Sequence, residues 1–378
     1  MPKAFPEGWA SLRAGSRELI RRLCTKFVLL GSYLPGPVGP AVVGRVIEES
    51  FGQRLVTAGH TIRSRYEATR PFDPLSNGRD VPPIEVFIPC VLKDLPTLRL
   101  AIEGARLGSR NPISRFVVCA PQRHVAAIST EVGAAAFVIA EEEVQSPGVV
   151  ALVDRIVPPE RRNWVVQQLL KLGYVAQSRS QGVLVIDADT VLLRQRTWLA
   201  DGCQLLAISR EMHVPYRDHV RTWLGDRVAD TNVSFVTHHQ LMQPGVVRAM
   251  LSCGSGSDRL EAEDSAAIDV GLRCWLGAAD FSLASALSEY HSYGAWLTFS
   301  QPKQTARCSW GNVEPRRLDA SAEFDELRIA TLRSEYPEAT SVTFHSWKRG
   351  SYSLGSSDLS FGRLDCHLRV ASDVPPED

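Results

Sequence analysis

Val183-Leu-Val-Ile-Asp-Ala-Asp-Thr-Val-Leu-Leu193 decides how this chain is read. Four apolar, mostly β-branched residues follow Gly182 and run straight into two carboxylates, which is the pattern of a buried strand ending in a polar turn. On an extended segment, positions i and i+2 face the same side, so Asp187 and Asp189 can converge on one ligand. A hard divalent cation suits two such oxygens. Mg²⁺ commonly takes one or two carboxylates together with substrate phosphates, and Mn²⁺ accepts the same ligands.

Working outward, the preceding segment from Arg162 to Ser178 has helical spacing, with Trp164, Val165, Gln168, Leu169, Leu172, Val175 and Ala176 marking one largely apolar face. Further upstream, Ile84–Pro89, Phe116–Pro121 and Ala135–Ala140 read as strands, separated by helical spacing over Thr97–Leu107 and from Gln122 onward. Leu205–Ile208 and Val233–Val236 are further strand candidates downstream. Strands alternating with helices imply βαβ units, hence an α/β fold with a mainly parallel sheet flanked by helices. Ligands bind such sheets beyond the carboxyl ends of the strands, so Pro89–Asp94 and Asp187–Asp189 are expected on one rim.

The chain has 378 residues, 44% hydrophobic and 22% charged, enough for a large core. Its 42 basic and 42 acidic residues balance, which argues against a nucleic-acid partner. Residues 1–70 depart from that balance, with eleven Lys and Arg against five Glu, a local net charge of +6. Helical spacing of Leu12, Leu19, Ile20, Leu23 and Phe27 predicts a helical region and linker over 1–80, followed by the main domain over 81–378. Within that domain a nucleotide-binding part spans about 84–195, an acceptor-side part about 196–350, and a tail runs to 378. The basic start has two readings: a cap on the domain, or a peripheral contact with an anionic membrane. Prolines 35, 37 and 40 interrupt the most apolar early stretch, so no span and no signal peptide is expected. Eight cysteines without a C-x-x-C pair read as buried hydrophobes of a reducing, cytoplasmic compartment.

Residues 183–193 resemble the D-x-D region of glycosyltransferases with the GT-A fold. More narrowly, Trp164…Gln167-Gln-Leu-Leu-Lys-Leu172, Ser234-Phe-Val-Thr-His-His239 and Ser288-Glu-Tyr-His-Ser-Tyr-Gly294 resemble a bacterial glycosyltransferase-like family of poorly defined substrate. The resemblance runs over about residues 84 to 350. It implies a GT-A-like fold and metal-dependent sugar transfer from a nucleoside diphosphate sugar, a UDP-sugar by preference, to a hydroxyl of a glycan or lipid-linked acceptor. It also implies bacterial glycan biosynthesis.

Roles follow from the resemblance residue by residue. Asp189 would bind Mn²⁺ or Mg²⁺ directly, while Asp187 would meet the nucleotide ribose or reach the metal through water. His345 is the candidate late metal ligand; a histidine packed beside Trp347 is the alternative. Pro89, Lys93 and Asp94 would face the nucleotide. Glu289 is the first choice for the general base of an inverting reaction, and Asp264 the second; the alternatives are a helix-start acid and a solvated acidic face. Lys171 and Lys93 are candidates for the diphosphate, against plain surface lysines. His238 and His239 suggest a metal pair, but neighbours on a strand point to opposite faces and do not readily bind one ion, so one of them lining the acceptor pocket is the better reading. Tyr290 and Trp296 would stack on a sugar or base, or pack in the core. Two other functions stand beside transfer. A sugar-phosphate nucleotidyltransferase normally carries a Gly-rich loop after its first strand, whereas Cys90–Pro96 has no glycine. A catalytically idle nucleotide- or glycan-binding module is the other.

Overall fold

The computed structural model describes residues 72–209, 213–225, 228, 233–256, 264–283, 285–313, 326–337 and 339–344. The helical region expected at the start lies outside them as far as residue 71. In chain order the first half runs β1 (Ile84–Pro89), α1 (Leu95–Gly108), β2 (Ile113–Ala120), α2 (Gln122–Val132), β3 (Phe137–Ala140), α3 (Pro147–Ile156), α4 (Arg162–Gln177) and β4 (Val183–Ile186). The rest runs β5 (Thr190–Leu192), β6 (Leu199–Ala200), β7 (Cys203–Ile208), α5 (Val214–Leu224), β8 (His239–Met242), α6 (Pro244–Ser255), α7 (Ser265–Gly277), α8 (Glu289–Ser300), β9 (Thr305–Ser309), β10 (Asn312–Val313), α9 (Glu326–Glu335) and β11 (Ser341–Thr343).

The main sheet has the order β3-β2-β1-β4-β8. Strands β1 to β4 are parallel, and β8 closes the edge antiparallel to β4. The chain steps outward from β1 to β3, then returns to lay β4 on the other side of β1. The winding reverses between β1 and β4, the place at which open sheets of this kind form their ligand crevice beyond the carboxyl ends of the strands. Both strands are buried on both faces, β4 as a continuous apolar run and β1 with one carboxylate, Glu85, which accepts the Tyr174 and Ser178 hydroxyls at 2.8 and 3.2 Å. Ile84, Val86, Ile88, Leu184 and Ile186 face the side of α1 and α2. Phe87, Val183 and Val185 face α4, α6, α7 and α8.

Helix α4 is more deeply placed than one apolar face would require. Every residue from Val165 to Ala176 except Gln167 is buried, Lys171 included. The helix is wedged between the sheet and the helices of the second half, so its polar residues must find partners inside.

Two smaller sheets extend the fold. One joins β5, β11 and β10; the other joins β6, β7 and β9. Asp201 and Gly202 link β6 to β7 with φ of 51° and 71°, the left-handed pair that a tight Asp-Gly hairpin demands. The Asp201 carboxylate accepts the backbone N–H groups of Arg79 and Asp80 at 3.2 and 3.0 Å. Asp73 accepts both the backbone N–H and the hydroxyl of Thr197 at 3.0 and 3.2 Å. The segment from Phe72 to Asp80, read as a linker, is thus strapped onto the domain.

The sequence places a strand at Val233–Val236, and this is corrected. There, Ser234 makes only an isolated bridge to Ser209, and the edge strand is His239–Met242. Val233 and Phe235 are apolar because they are core residues, 4% and 0% exposed. The chain then turns sharply at His238, whose φ is 57°, before pairing begins.

Candidate functional site

The two expected polar clusters do share a rim. After β1, Leu92–Asp94 forms one 3-10 turn leading into α1. The Thr97 hydroxyl on α1 lies 2.8 Å from the Asp94 carbonyl and 3.0 Å from the Ala188 carbonyl, tying the first loop to the Asp187–Asp189 turn. Gly104 lets α1 come close: a Cβ there would sit 2.8 Å from the Leu192 nitrogen. On the far side the Phe344 N–H donates to the Asp189 carbonyl at 2.8 Å. Cys90 belongs to the first cluster, and its thiol is pushed up to about 12 by burial, with Asp94 and Asp189 adding to the effect.

Asp187 is the hub. Lys171 Nζ lies 2.5 Å from its Oδ1, the Tyr290 hydroxyl donates to the same oxygen at 3.1 Å, and His238 Nδ1 lies 3.2 Å from Oδ2. Lys171 also holds Glu289 Oε1 at 2.6 Å and stands 4.3 Å from the centre of the Tyr290 ring. The lysine and glutamate side chains are 3% and 4% exposed. Burial alone would push the Asp187 carboxyl up, but the ammonium and His238 hold it well below the usual carboxylate range. Burial would likewise lower the Lys171 ammonium; the two carboxylates more than reverse that. The Glu289 carboxyl is raised, by burial first, with Lys171 opposing and Asp187 assisting. A carboxylate offers about four lone-pair positions. Three of those on Asp187 meet a donor, leaving room for one ribose hydroxyl or one metal-bound water.

Several sequence assignments change. Lys171 is neither a surface lysine nor free to reach a diphosphate, because its ammonium is shared between Asp187 and Glu289. Asp264 is the N-cap of α7, its Oδ1 accepting the Ala267 N–H at 2.9 Å, which is a structural use of the carboxylate. His239 is 1% exposed and packs edge-on against Trp198, so of the histidine pair only His238 faces Asp187. Trp296 is 9% exposed within the core, which removes it as an acceptor contact. Glu289 does open α8, following a serine cap, as the helix-start alternative requires. Pro89 ends β1 buried, Lys93 is exposed, and Asp94 and Asp189 are half-buried. His345 lies outside the described residues.

Among the described residues no three His, Cys, Asp or Glu side chains come together as a metal cluster. The arrangement suits a cation that takes Asp189, a water or oxygen at Asp187, and substrate phosphates for its remaining positions.

Sequence reasoning did not find Trp310. Its ring centre lies 5.6 Å from that of His238, so it stands next to the same group of residues. The only signal was an isolated tryptophan before Gly311-Asn312, at the end of a polar strand.

No family model matches the chain, and no curated protein matches it. Solved structures similar to it include the galactosyltransferase LgtC in complex with donor and acceptor sugar analogues, at 12% identity, 69% of this chain, 87% of that chain and a TM-score of 0.35. Mouse xyloside xylosyltransferase 1 is similar at 12% identity over 71% of this chain and 99% of its own, with a TM-score of 0.33. Glucosyl-3-phosphoglycerate synthase from Mycobacterium tuberculosis, solved with Mn²⁺ and UDP, is similar at 13% identity over 64% of this chain and 75% of its own, with a TM-score of 0.32. At such values the functional reading rests on the site itself.

Proposed function

We propose that this chain is a GT-A-like glycosyltransferase that moves a sugar from a nucleoside diphosphate sugar, a UDP-sugar first, to an acceptor hydroxyl of a glycan or lipid-linked sugar. The observation that carries this is the position of Asp187 and Asp189 just after β4, beside the end of the parallel strand β1, where the order of winding reverses. An anionic donor in a crevice bearing Asp94, Asp187, Asp189 and Glu289 needs a counter-cation. Mn²⁺ or Mg²⁺ held by Asp189 would supply it and would neutralise the departing diphosphate. Asp187, locked by Lys171, Tyr290 and His238, would present its remaining lone pair to the ribose.

Glu289 is the carboxylate for an inverting reaction. It would take the proton from the acceptor hydroxyl as that oxygen bonds to the anomeric carbon and the bond to the diphosphate breaks. Phe344 reaches the Asp189 main chain, and the next residue in sequence is His345, which keeps its candidacy as the late ligand. Among the described residues no helix is long and apolar enough to cross a membrane. The basic stretch over 1–70 would reach an anionic membrane surface as a peripheral contact, in a cytoplasmic enzyme of bacterial glycan synthesis. One observation favours a second reading, a nucleotide-binding module without turnover: Glu289, the carboxylate cast as base, is 4% exposed and already paired with Lys171.

Melting curves with nucleoside diphosphates, with and without Mn²⁺, test the proposal. A ligand at about 100 times its dissociation constant adds ~2.7 kcal/mol. A metal-dependent rise that vanishes in Asp189→Ala supports it, and the absence of any rise rejects it. Binding without sugar transfer or donor hydrolysis would select the idle module.

A further inference from the structure

We infer that Trp310 is the sugar-ring contact of this crevice, flanked by His238, and that Asn312 is the positioning residue that holds the indole there. This rests on the donor reading above and says which residue meets the carbohydrate. The sheet order puts the loop after β1 on one side of β4 and His238, just before β8, on the other. Strands lie about 4.8 Å apart, so that path spans about 10 Å across Asp187. A nucleoside held at Pro89–Asp94, with its ribose at Asp187 and its diphosphate on the cation at Asp189, would have its sugar within reach of the side where His238 and Trp310 stand.

The indole is fixed from behind. Its Nε1 donates to Ser341 Oγ at 2.8 Å, and its backbone N–H donates to the Ile208 carbonyl at 3.0 Å. The Ser341 hydroxyl in turn donates to Asn312 Oδ1 at 2.8 Å, which also accepts the Thr343 hydroxyl at 3.1 Å. The Thr343 hydroxyl lies 3.1 Å from that of Thr190, the residue directly after Asp189. Ser341, Thr343 and Thr190 are fully buried, so this chain of hydroxyls links the metal-side turn to the indole within one dry frame. Trp310 itself is half-buried, and its polar atom is already satisfied. Part of the ring packs against the core on the α1 and α2 side, and what the half-buried indole has left to offer is the rest of its π surface, whose negative face attracts the weakly positive C–H groups of a pyranose.

The test compares bare and sugar-bearing nucleotides by calorimetry in the presence of Mn²⁺, using UDP against UDP-glucose and UDP-galactose, and GDP against GDP-mannose. Trp310→Ala should weaken the preferred sugar nucleotide about threefold to tenfold while leaving the matching diphosphate unchanged. Trp310→Phe should retain most of the affinity. Asn312→Ala should shift the sugar nucleotide in the same direction by less, with a melting curve confirming that the protein is folded. Equal weakening of the diphosphate and its sugar conjugate, or no weakening of either, overturns the inference. A wild-type protein that binds none of the nucleotides overturns the donor reading itself, and that outcome is visible before any variant is made.

Discussion

His238 Nδ1 sits 3.2 Å from Asp187 Oδ2, and the residue that makes this contact carries a φ of 57°. A left-handed conformation costs an ordinary L-residue roughly 1–2 kcal/mol, and such outliers gather at functional sites. His238→Gly should therefore be about 1 kcal/mol more stable than His238→Ala, since glycine accepts that φ freely. Both variants should bind nucleotide more weakly than wild type. Urea midpoints and nucleotide titrations of the pair check the two halves of the statement separately.

Lys171 joins the half-buried Asp187 to the buried Glu289, so its removal leaves the two carboxylates facing one another. Breaking a buried pair from one side costs on the order of 3–5 kcal/mol. Lys171→Met should fall in that range, with loss of nucleotide binding. Adding Asp187→Asn and Glu289→Gln to it should recover a large part of the stability but none of the binding. Chemical denaturation of the single and triple variants measures this, and a triple variant no more stable than Lys171→Met would contradict it.

Two buried histidines make stability fall in mild acid. Burial pushes His219 down to about 4 and His239 down to about 3 in the folded protein. The unfolded chain protonates near pH 6.5. Between those values the unfolded state binds protons that the folded state refuses, so stability is complete above about pH 7 and drops as pH falls. The slope approaches about 1.4 kcal/mol per pH unit for each histidine. Urea midpoints at pH 7.5, 6 and 5 should show the decline, and His219→Gln with His239→Gln should flatten it.

Gly294 lies five residues after Glu289 on α8, and a Cβ there would come within 2.3 Å of Phe235, whose ring is fully buried. Overpacking of a tight core costs about 1–3 kcal/mol, which outweighs the ~1 kcal/mol by which alanine favours a helix. Gly294→Ala should destabilise and, by displacing α8, weaken nucleotide binding. Gly245→Ala, where nothing lies within 4 Å, should be neutral or slightly stabilising. Thermal melts of both distinguish crowding from helix propensity.

The order of strands and helices from Ile84 to Ile186 was legible except for α3 (Pro147–Ile156), which the sequence reading did not place, because the other elements have their own period and a clear stop, such as Pro121 or the Asp187 turn. The shared rim followed from parallel strands alone. The edge strand was missed because Val233–Val236 carries the β-like composition, while His239–Met242 does the pairing. The partners of Lys171 were also out of reach, since spacing says nothing about residues 118 positions apart. A lysine amid an otherwise buried helix was the available hint. Helix α8 is buried from Glu289 to Leu297, so no periodicity could separate Tyr290, which touches Asp187, from Trp296, which does not.

The salt bridge from Lys171 to Glu289 also has a consequence in time. Synthesis runs from the amino terminus, and loop closure over so long a separation is slow compared with forming β1 to β4 and their helices. The first half can collapse while Lys171 has only Asp187 to answer it. The centre is complete only when α8 arrives, so the chemistry of this protein should be the last property it acquires on folding and the first it loses when its second half loosens.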